Sequence, residues 1–215
     1  MILSRIGPGL SKTRVAGYKV APFDGDPSRI RAMTEATNNS ILTPEESATE
    51  PAQPEAVLAR LDALGIAVTT HHHPPLFTVE QSKELRGDLP GGHCKNLFLR
   101  DRKGRMWLVV CREDLKIDLK ALGPRIGADR LSFGSADRLM RVLGVIPGAV
   151  SPFALINDTE NQVTVILDEG MMALSPLNYH PISNEMTTAI TPEGLLSFIR
   201  ACGHEPNVVD LEGED

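Results

Sequence analysis

The sequence holds only three cysteines, Cys94, Cys111 and Cys202, an odd number at wide and irregular spacing. That excludes a disulfide framework and a zinc site built from paired cysteines, and it suits a reducing, cytosolic setting. Long apolar runs are missing too. None approaches the roughly 20 residues that cross a bilayer, and no charged head leads into an apolar core with a small-residue cleavage site, so a soluble protein that is not exported is expected. Positive charge is in deficit: 22 Lys and Arg stand against 28 Asp and Glu, a formal net charge of −6. This removes the basis for general duplex-DNA binding by phosphate neutralisation while leaving room for a local basic site. The strong catalytic signatures are absent as well: no Gly-x-Ser-x-Gly elbow, no phosphate loop ending in Gly-Lys-Ser, no dinucleotide glycine fingerprint and no His-Glu-x-x-His.

What is present is enough apolar sequence, 41% of 215 residues, to bury one sizeable core. The charge is unevenly placed. Residues 1–32 carry six basic side chains (Arg5, Lys12, Arg14, Lys19, Arg29, Arg31) against Asp24 and Asp26, a net of +4, which leaves −10 on the other 183 residues. This stretch has neither a helical nor an alternating apolar period, and residues 1–50 read as a disordered extension and polar linker. Three accounts of it compete: a basic arm that touches RNA, an organellar transit peptide, and upstream codons preceding a true start at Met33. Order is expected to begin near Pro54, with a domain over residues 54–205 and an acidic tail over 206–215.

Within the domain, Val57, Leu58, Leu61 and Leu64 follow helical spacing up to Gly65, and β-branched residues make Ile66 to His73 a strand. Thr78 with Gln81 forms a capping box for a helix closed by Gly87. Asn96 to Arg100 and Met106 to Cys111 read as a hairpin. Asp118 to Ile126 and Ala136 to Leu143 read as helices, with a short strand at Leu131 to Phe133 between them. Phe153 to Ile156 and Val163 to Leu167 are expected to form a second hairpin across Asn157 and Asp158. Met186 to Ile190 is a strand, and Thr191-Pro192 opens a last helix that ends at Gly203. Strands joined mostly by hairpins, with helices between pairs, imply an α+β fold on a mixed, largely antiparallel sheet.

Four segments carry polar residues that packing does not require. In Gly91 to Leu99, Lys95 and Asn96 stand at the mouth of an apolar strand, where an ammonium and an amide suit a phosphate, a ribose hydroxyl or a carbonyl; the plain alternative is an edge-strand lysine that discourages aggregation. In Gly144 to Phe153, two glycines and two prolines fix an unusual path, and Gly148 leaves backbone amides open to an anion or oxyanion; an ordinary tight loop is the alternative. In Asn178 to Thr188, His180 can bond a substrate group with Asn184 beside it, or serve as a satisfied structural histidine. In His71-His72-His73 only the first and third share a strand face, which is poor for a metal. Cys94 beside His93 is badly aimed for a nucleophilic dyad and reads as a packing residue.

Taken together, Lys95-Asn96-Leu97-Phe98-Leu99, the Gly144 to Phe153 loop and His180-Pro181-x-x-Asn184 resemble the YbaK family of aminoacyl-tRNA editing domains, and within it the free-standing Ala-tRNA(Pro) deacylases. The likeness covers about residues 54–205, including His73-Pro74-Pro75-Leu76-Phe77-Thr78-Val79-Glu80, and leaves residues 1–50 unmatched. It implies a mixed sheet closing into a barrel-like core with helices around it, and hydrolysis of a mischarged aminoacyl ester with no cofactor and no metal. By resemblance, Lys95 is the key catalytic lysine and grips the terminal ribose-phosphate, while Asn96 supports that geometry. The amides around Gly148, with Ser151, hold the carbonyl or aminoacyl group, and His180 and Asn184 line the amino-acid pocket. The implied partners are the acceptor end of tRNA(Pro), prolyl-tRNA synthetase and elongation factor, with neither membrane nor DNA. Ala149 departs from the serine usual in this loop, and the surrounding motifs favour alanine over cysteine as the amino acid removed.

Overall fold

The computed structural model of the chain describes residues 51–74 and 89–213. The expected disordered extension over residues 1–50 and the capping box at Thr78 and Gln81 lie outside the described residues.

Helix α1, Pro54–Ala63, has proline in its first turn, where a missing N–H costs nothing, and Gly65 leaves it at φ +67°. Strand β1, Val68–His72, follows. Strands β2, Gly92–Arg100, and β3, Met106–Arg112, form the expected antiparallel hairpin, with Lys95 opposite Cys111 and Asn96 opposite Val110. Asp101 holds its turn by accepting from the Arg105 backbone N–H at 3.0 Å and the Arg105 Nε at 2.9 Å. Helix α2, Leu119–Arg125, is capped by the Asp118 side chain. Strand β4, Ser132–Phe133, is short, and helix α3, Ala136–Leu143, is capped by Ser135 and ends on Gly144 in the left-handed conformation.

The second expected hairpin does not form. Residues Pro152–Asn157 wind into a 3-10 helix. The Ser151 hydroxyl accepts from the Phe153 N–H at 3.2 Å, Pro152 supplies the fixed φ of a first turn, and Pro152, Phe153, Ala154 and Leu155 are all buried, without the in-and-out alternation of a strand. Asp158 then turns the chain, its carboxylate accepting from the N–H groups of Gln162 at 3.0 Å and Val163 at 2.9 Å. Strand β5, Val163–Asp168, pairs in parallel with β3. A short helix α4, Glu169–Met172, and strand β6, Leu177–Tyr179, neither of them expected, precede strand β7, Met186–Ile190. Helix α5, Pro192–Ala201, is capped by Thr191 as expected. Strand β8, Asn207–Val209, then adds to β5 in parallel, so the sheet runs past residue 205.

The hydrogen-bonded order is β1-β7-β6-β2-β3-β5-β8, with β4 attached to β2. The ladders β1–β7, β6–β7, β2–β3 and β2–β4 are antiparallel, while β2–β6, β3–β5 and β5–β8 are parallel. The sheet is therefore mixed and largely antiparallel, as expected; among the described residues its path stays open at β1 and β8 rather than joining them. One face packs Phe98, Leu108 and Val110 against Leu143, Phe153 and Phe198; the other packs Leu99, Trp107 and Val109 against Leu122, Leu131 and Leu211. Phe153 is the pivot of the first core, fully buried, its ring edge-on to Phe198 at 5.2 Å and to Tyr179 at 6.1 Å. Truncating such a side chain costs about 3–5 kcal/mol, so Phe153 pins the end of the loop that starts at Gly144.

Candidate functional site

Successive residues of a strand point to opposite faces, and this splits the Lys95-Asn96 pair. Asn96 shares a face with Cys94 and Phe98, and its Nδ2 donates to the Val150 carbonyl at 2.9 Å. Its Oδ1 is buried and meets no donor among the described residues. Lys95 lies with Leu97 and Leu99 on the other face, where its ammonium donates to the carbonyls of Glu113, at 3.3 Å, and Leu115. The two residues thus lie at the middle of β2, three and four residues into the strand rather than at its mouth, and project from opposite sides of the sheet.

On the Asn96 side, the loop from Gly144 to Ser151 borders a cleft of about 420 Å³ lined by Gln53, Pro54, Met140, Gly144 to Ala149, Ile182, Ser183 and Asn184. Gly144 is required on two counts: its φ is +63°, and a Cβ there would come within 2.6 Å of Pro51 Cβ and 2.9 Å of Asn157 Nδ2. Asn157 ties the base of the loop down, donating to the Leu143 carbonyl at 2.9 Å and accepting from the Ala52 N–H at 2.8 Å. Within the loop the Ala149 N–H donates to the Ile146 carbonyl at 3.0 Å, which turns the chain at Gly148, φ +94°. Among the described residues the Gly148 N–H donates to no backbone or side-chain acceptor, and a Cβ on this residue would meet open space. An unengaged backbone donor on a cleft wall is what a carbonyl oxygen or a developing oxyanion requires.

Strands β6 and β7 supply the third part. The loop between them holds His180, whose Nδ1 is 2.9 Å from the Met186 carbonyl and whose ring stands edge-on to that of His73 at 6.2 Å. His73 Nε2 is in turn 3.0 Å from the Thr187 hydroxyl. Gly148 and Asn184 therefore share one cleft and Asn96 is bonded to its loop, while His180 is engaged with the β7 end of its own loop. Ser151 is placed differently from the expectation drawn on the motif: it is fully buried, and its hydroxyl caps the 3-10 helix. Ile182, Met140 and Ile146 line the cleft without having been singled out in the sequence, since an aliphatic side chain near a turn carries no chemical signature.

No activated thiol stands nearby. Burial pushes the Cys94 thiol up to about 12, only partly offset by its hydrogen bond with Tyr179, and burial pushes Cys111 up to about 11. Among the described residues no three His, Cys, Asp or Glu side chains gather where they can hold one metal ion. His71 and His72 lie on β1 opposite Thr187 and Met186, one on each face.

Comparison with known proteins agrees with the geometry. The family model of the aminoacyl-tRNA editing domain matches residues 73–198. The prolyl-tRNA editing protein ProX of Acetoanaerobium sticklandii is 40% identical over 158 residues, covering 73% of this chain and 96% of that protein. The prolyl-tRNA synthetase associated domain-containing protein 1 of Danio rerio is 37% identical over 154 residues, covering 71% of this chain and 84% of that protein. A solved structure described as a candidate trans-editing enzyme for prolyl tRNA synthetase shares the fold, with a TM-score of 0.60 at 18% identity over 80% of this chain and 99% of that one. With the family model spanning more than half of its length, the chain belongs to the aminoacyl-tRNA editing domain family and is an aminoacyl-tRNA deacylase.

Proposed function

We propose that this deacylase acts in trans on mischarged tRNA(Pro), releasing alanine in preference to cysteine or serine. The observation that carries the reading is the Gly148 N–H, unengaged among the described residues, on a cleft shared with Asn184 and fastened to Asn96, on whose strand face the Cys94 thiol is held protonated by burial. An aminoacyl ester is already activated, so the site need only hold it, admit a water and stabilise the oxyanion. Water adds to the ester carbonyl, the Gly148 amide takes the charge that develops on oxygen, and the ribose oxygen leaves with a proton to regenerate the tRNA end. The water's proton passes to the neighbouring ribose hydroxyl of the substrate as that hydroxyl hands its own proton to the leaving ribose oxygen, so the relay balances and no Ser-His-Asp set is needed. Lys95, reached from the opposite side of β2, holds the phosphate next to the terminal ribose. The likeness to proteins named for prolyl-tRNA editing supports tRNA(Pro) as the substrate and prolyl-tRNA synthetase as a protein partner; elongation factor is proposed as a further one.

The test is turnover on tRNA(Pro) charged with alanine, cysteine, serine or proline. Alanine is released fastest, and a tRNA ending in 2′-deoxyadenosine is cleaved slowly. Fastest release of cysteine makes the protein a Cys-tRNA(Pro) deacylase instead, and no turnover on any ester leaves a non-catalytic tRNA- or synthetase-binding module. Normal cleavage of the deoxy substrate removes the ribose hydroxyl from the mechanism.

A further inference from the structure

We infer that Ile182 sets the size of the aminoacyl group this cleft accepts, an inference that rests on the deacylase reading of the cleft. Ile182 lines the cleft together with Gly148, Ala149 and Asn184. Its backbone stands at φ +55°, in the left-handed region that β-branched residues almost never adopt. Such a conformation persists only where the surroundings over-determine it. Here they do. The Ile182 N–H donates to the His180 carbonyl at 2.9 Å, and His180 Nδ1 is 2.9 Å from the Met186 carbonyl, which closes the loop across its base. The Glu185 N–H reaches the Ser183 hydroxyl at 3.3 Å, and the Glu185 carbonyl accepts from the His73 N–H at 2.9 Å.

A residue that merely joined β6 to β7 through a left-handed turn would be glycine or asparagine, which take that conformation without strain. Isoleucine adds bulk instead. The side chain is half-buried, packed in part against the core that holds Phe153 and Tyr179, and it forms cleft wall with what remains. Its neighbour in that wall, Ala149, contributes a single methyl group and is only 8% exposed, so it leaves little to trim. The pinned loop prevents Ile182 from swinging away when a larger substrate enters. Extra methylenes on the amino acid must therefore displace a fixed branched side chain, and an apolar wall of this kind discriminates by about 10- to 200-fold per methylene.

The experiment uses the full chain and tRNA(Pro) charged with alanine, 2-aminobutyrate or valine. Ile182→Gly, which removes the bulk and suits the backbone, raises kcat/KM for the valyl ester relative to the alanyl ester by about tenfold or more. Ile182→Leu keeps the volume and leaves that ratio within about threefold of the wild type. Ile182→Asn, which tolerates the left-handed turn with less apolar bulk, moves the ratio in the same direction as glycine and serves if the glycine variant does not fold. An unchanged ratio in folded glycine and asparagine variants overturns the inference, as does a leucine variant that shifts as far as glycine. Failure of the wild type to release alanine overturns the deacylase reading, and this inference with it; that outcome is seen in the wild-type rate and not in the ratio.

Discussion

The Asn96 side chain donates to the Val150 carbonyl across 2.9 Å, fastening β2 to the loop that carries Gly148. The other half of the amide, Oδ1, is buried and meets no donor among the described residues, so Asn96 has an acceptor to offer a substrate hydroxyl or ammonium. Asn96→Ala removes both functions. Its stability loss, measured by chemical denaturation, is expected at about 1 kcal/mol, the net worth of one such bond, while kcat/KM on Ala-tRNA(Pro) falls by roughly tenfold or more. A loss of activity no larger than the loss of folded protein would reduce Asn96 to a fastener.

Lys95 presents a different test, because its ammonium already donates to the carbonyls of Glu113 and Leu115. If the lysine holds a phosphate of the single-stranded tRNA end, Lys95→Ala weakens binding and flattens the slope of log K against log salt by about 0.7, the share of one contact. Lys95→Arg keeps the slope. An alanine variant that loses activity at unchanged slope assigns Lys95 to the folding of the 113–115 turn instead.

The same pair of residues shows how far the sequence could be read. A lysine and an asparagine at a strand mouth were identifiable as polar groups out of place in an apolar run, but alternation sends them to opposite faces, and only the partners across the sheet decide which face meets the cleft. Thr191-Pro192 and Ser151-Pro152 carry one helix-start signature. It was legible before α5, where an apolar helical period follows, and hidden before Phe153-Ala154-Leu155-Ile156, whose short apolar run also suits a strand; full burial decides for the 3-10 helix. Strand β6 is three residues long and β8 likewise, too short for any period to show, and each exists because a neighbour offers it a ladder. The strain at Ile182 has no sequence signal at all, since nothing in an isoleucine announces a positive φ.

Gly148 permits a separation of backbone from bulk. A Cβ there meets open space, so Gly148→Ala adds no clash and acts only through φ +94°. A left-handed alanine costs about 1–2 kcal/mol, which thermal or chemical denaturation will register as a modest loss. The catalytic effect is expected to be larger, about 10²-fold in single-turnover rate, because relaxing φ turns the unengaged N–H away from the ester, and one oxyanion donor is worth about that much. Equal losses in stability and rate would remove the amide from the chemistry.

The three thiols give the protein an alkaline weakness of predictable sign. Burial raises Cys94 from 9.0 to about 12, and Cys111 and Cys202 from 9.0 to about 11. A thiol whose folded value is raised holds its proton in the native state after the unfolded chain has released it, so its contribution to stability is intact below pH 9 and is lost as pH climbs from 9 toward 11 or 12. Between pH 9.5 and 10.5 Cys94 makes the unfolding free energy fall by up to about 1.4 kcal/mol per pH unit, and the partly exposed Cys202 adds less because solvent screens it. Cys94→Ala is therefore expected to flatten that slope in urea titrations. It should leave deacylation at pH 7.5 within about twofold, since a thiol protonated to about 12 supplies no nucleophile. Rapid alkylation of Cys94 at neutral pH, with loss of turnover, would contradict both halves of this expectation.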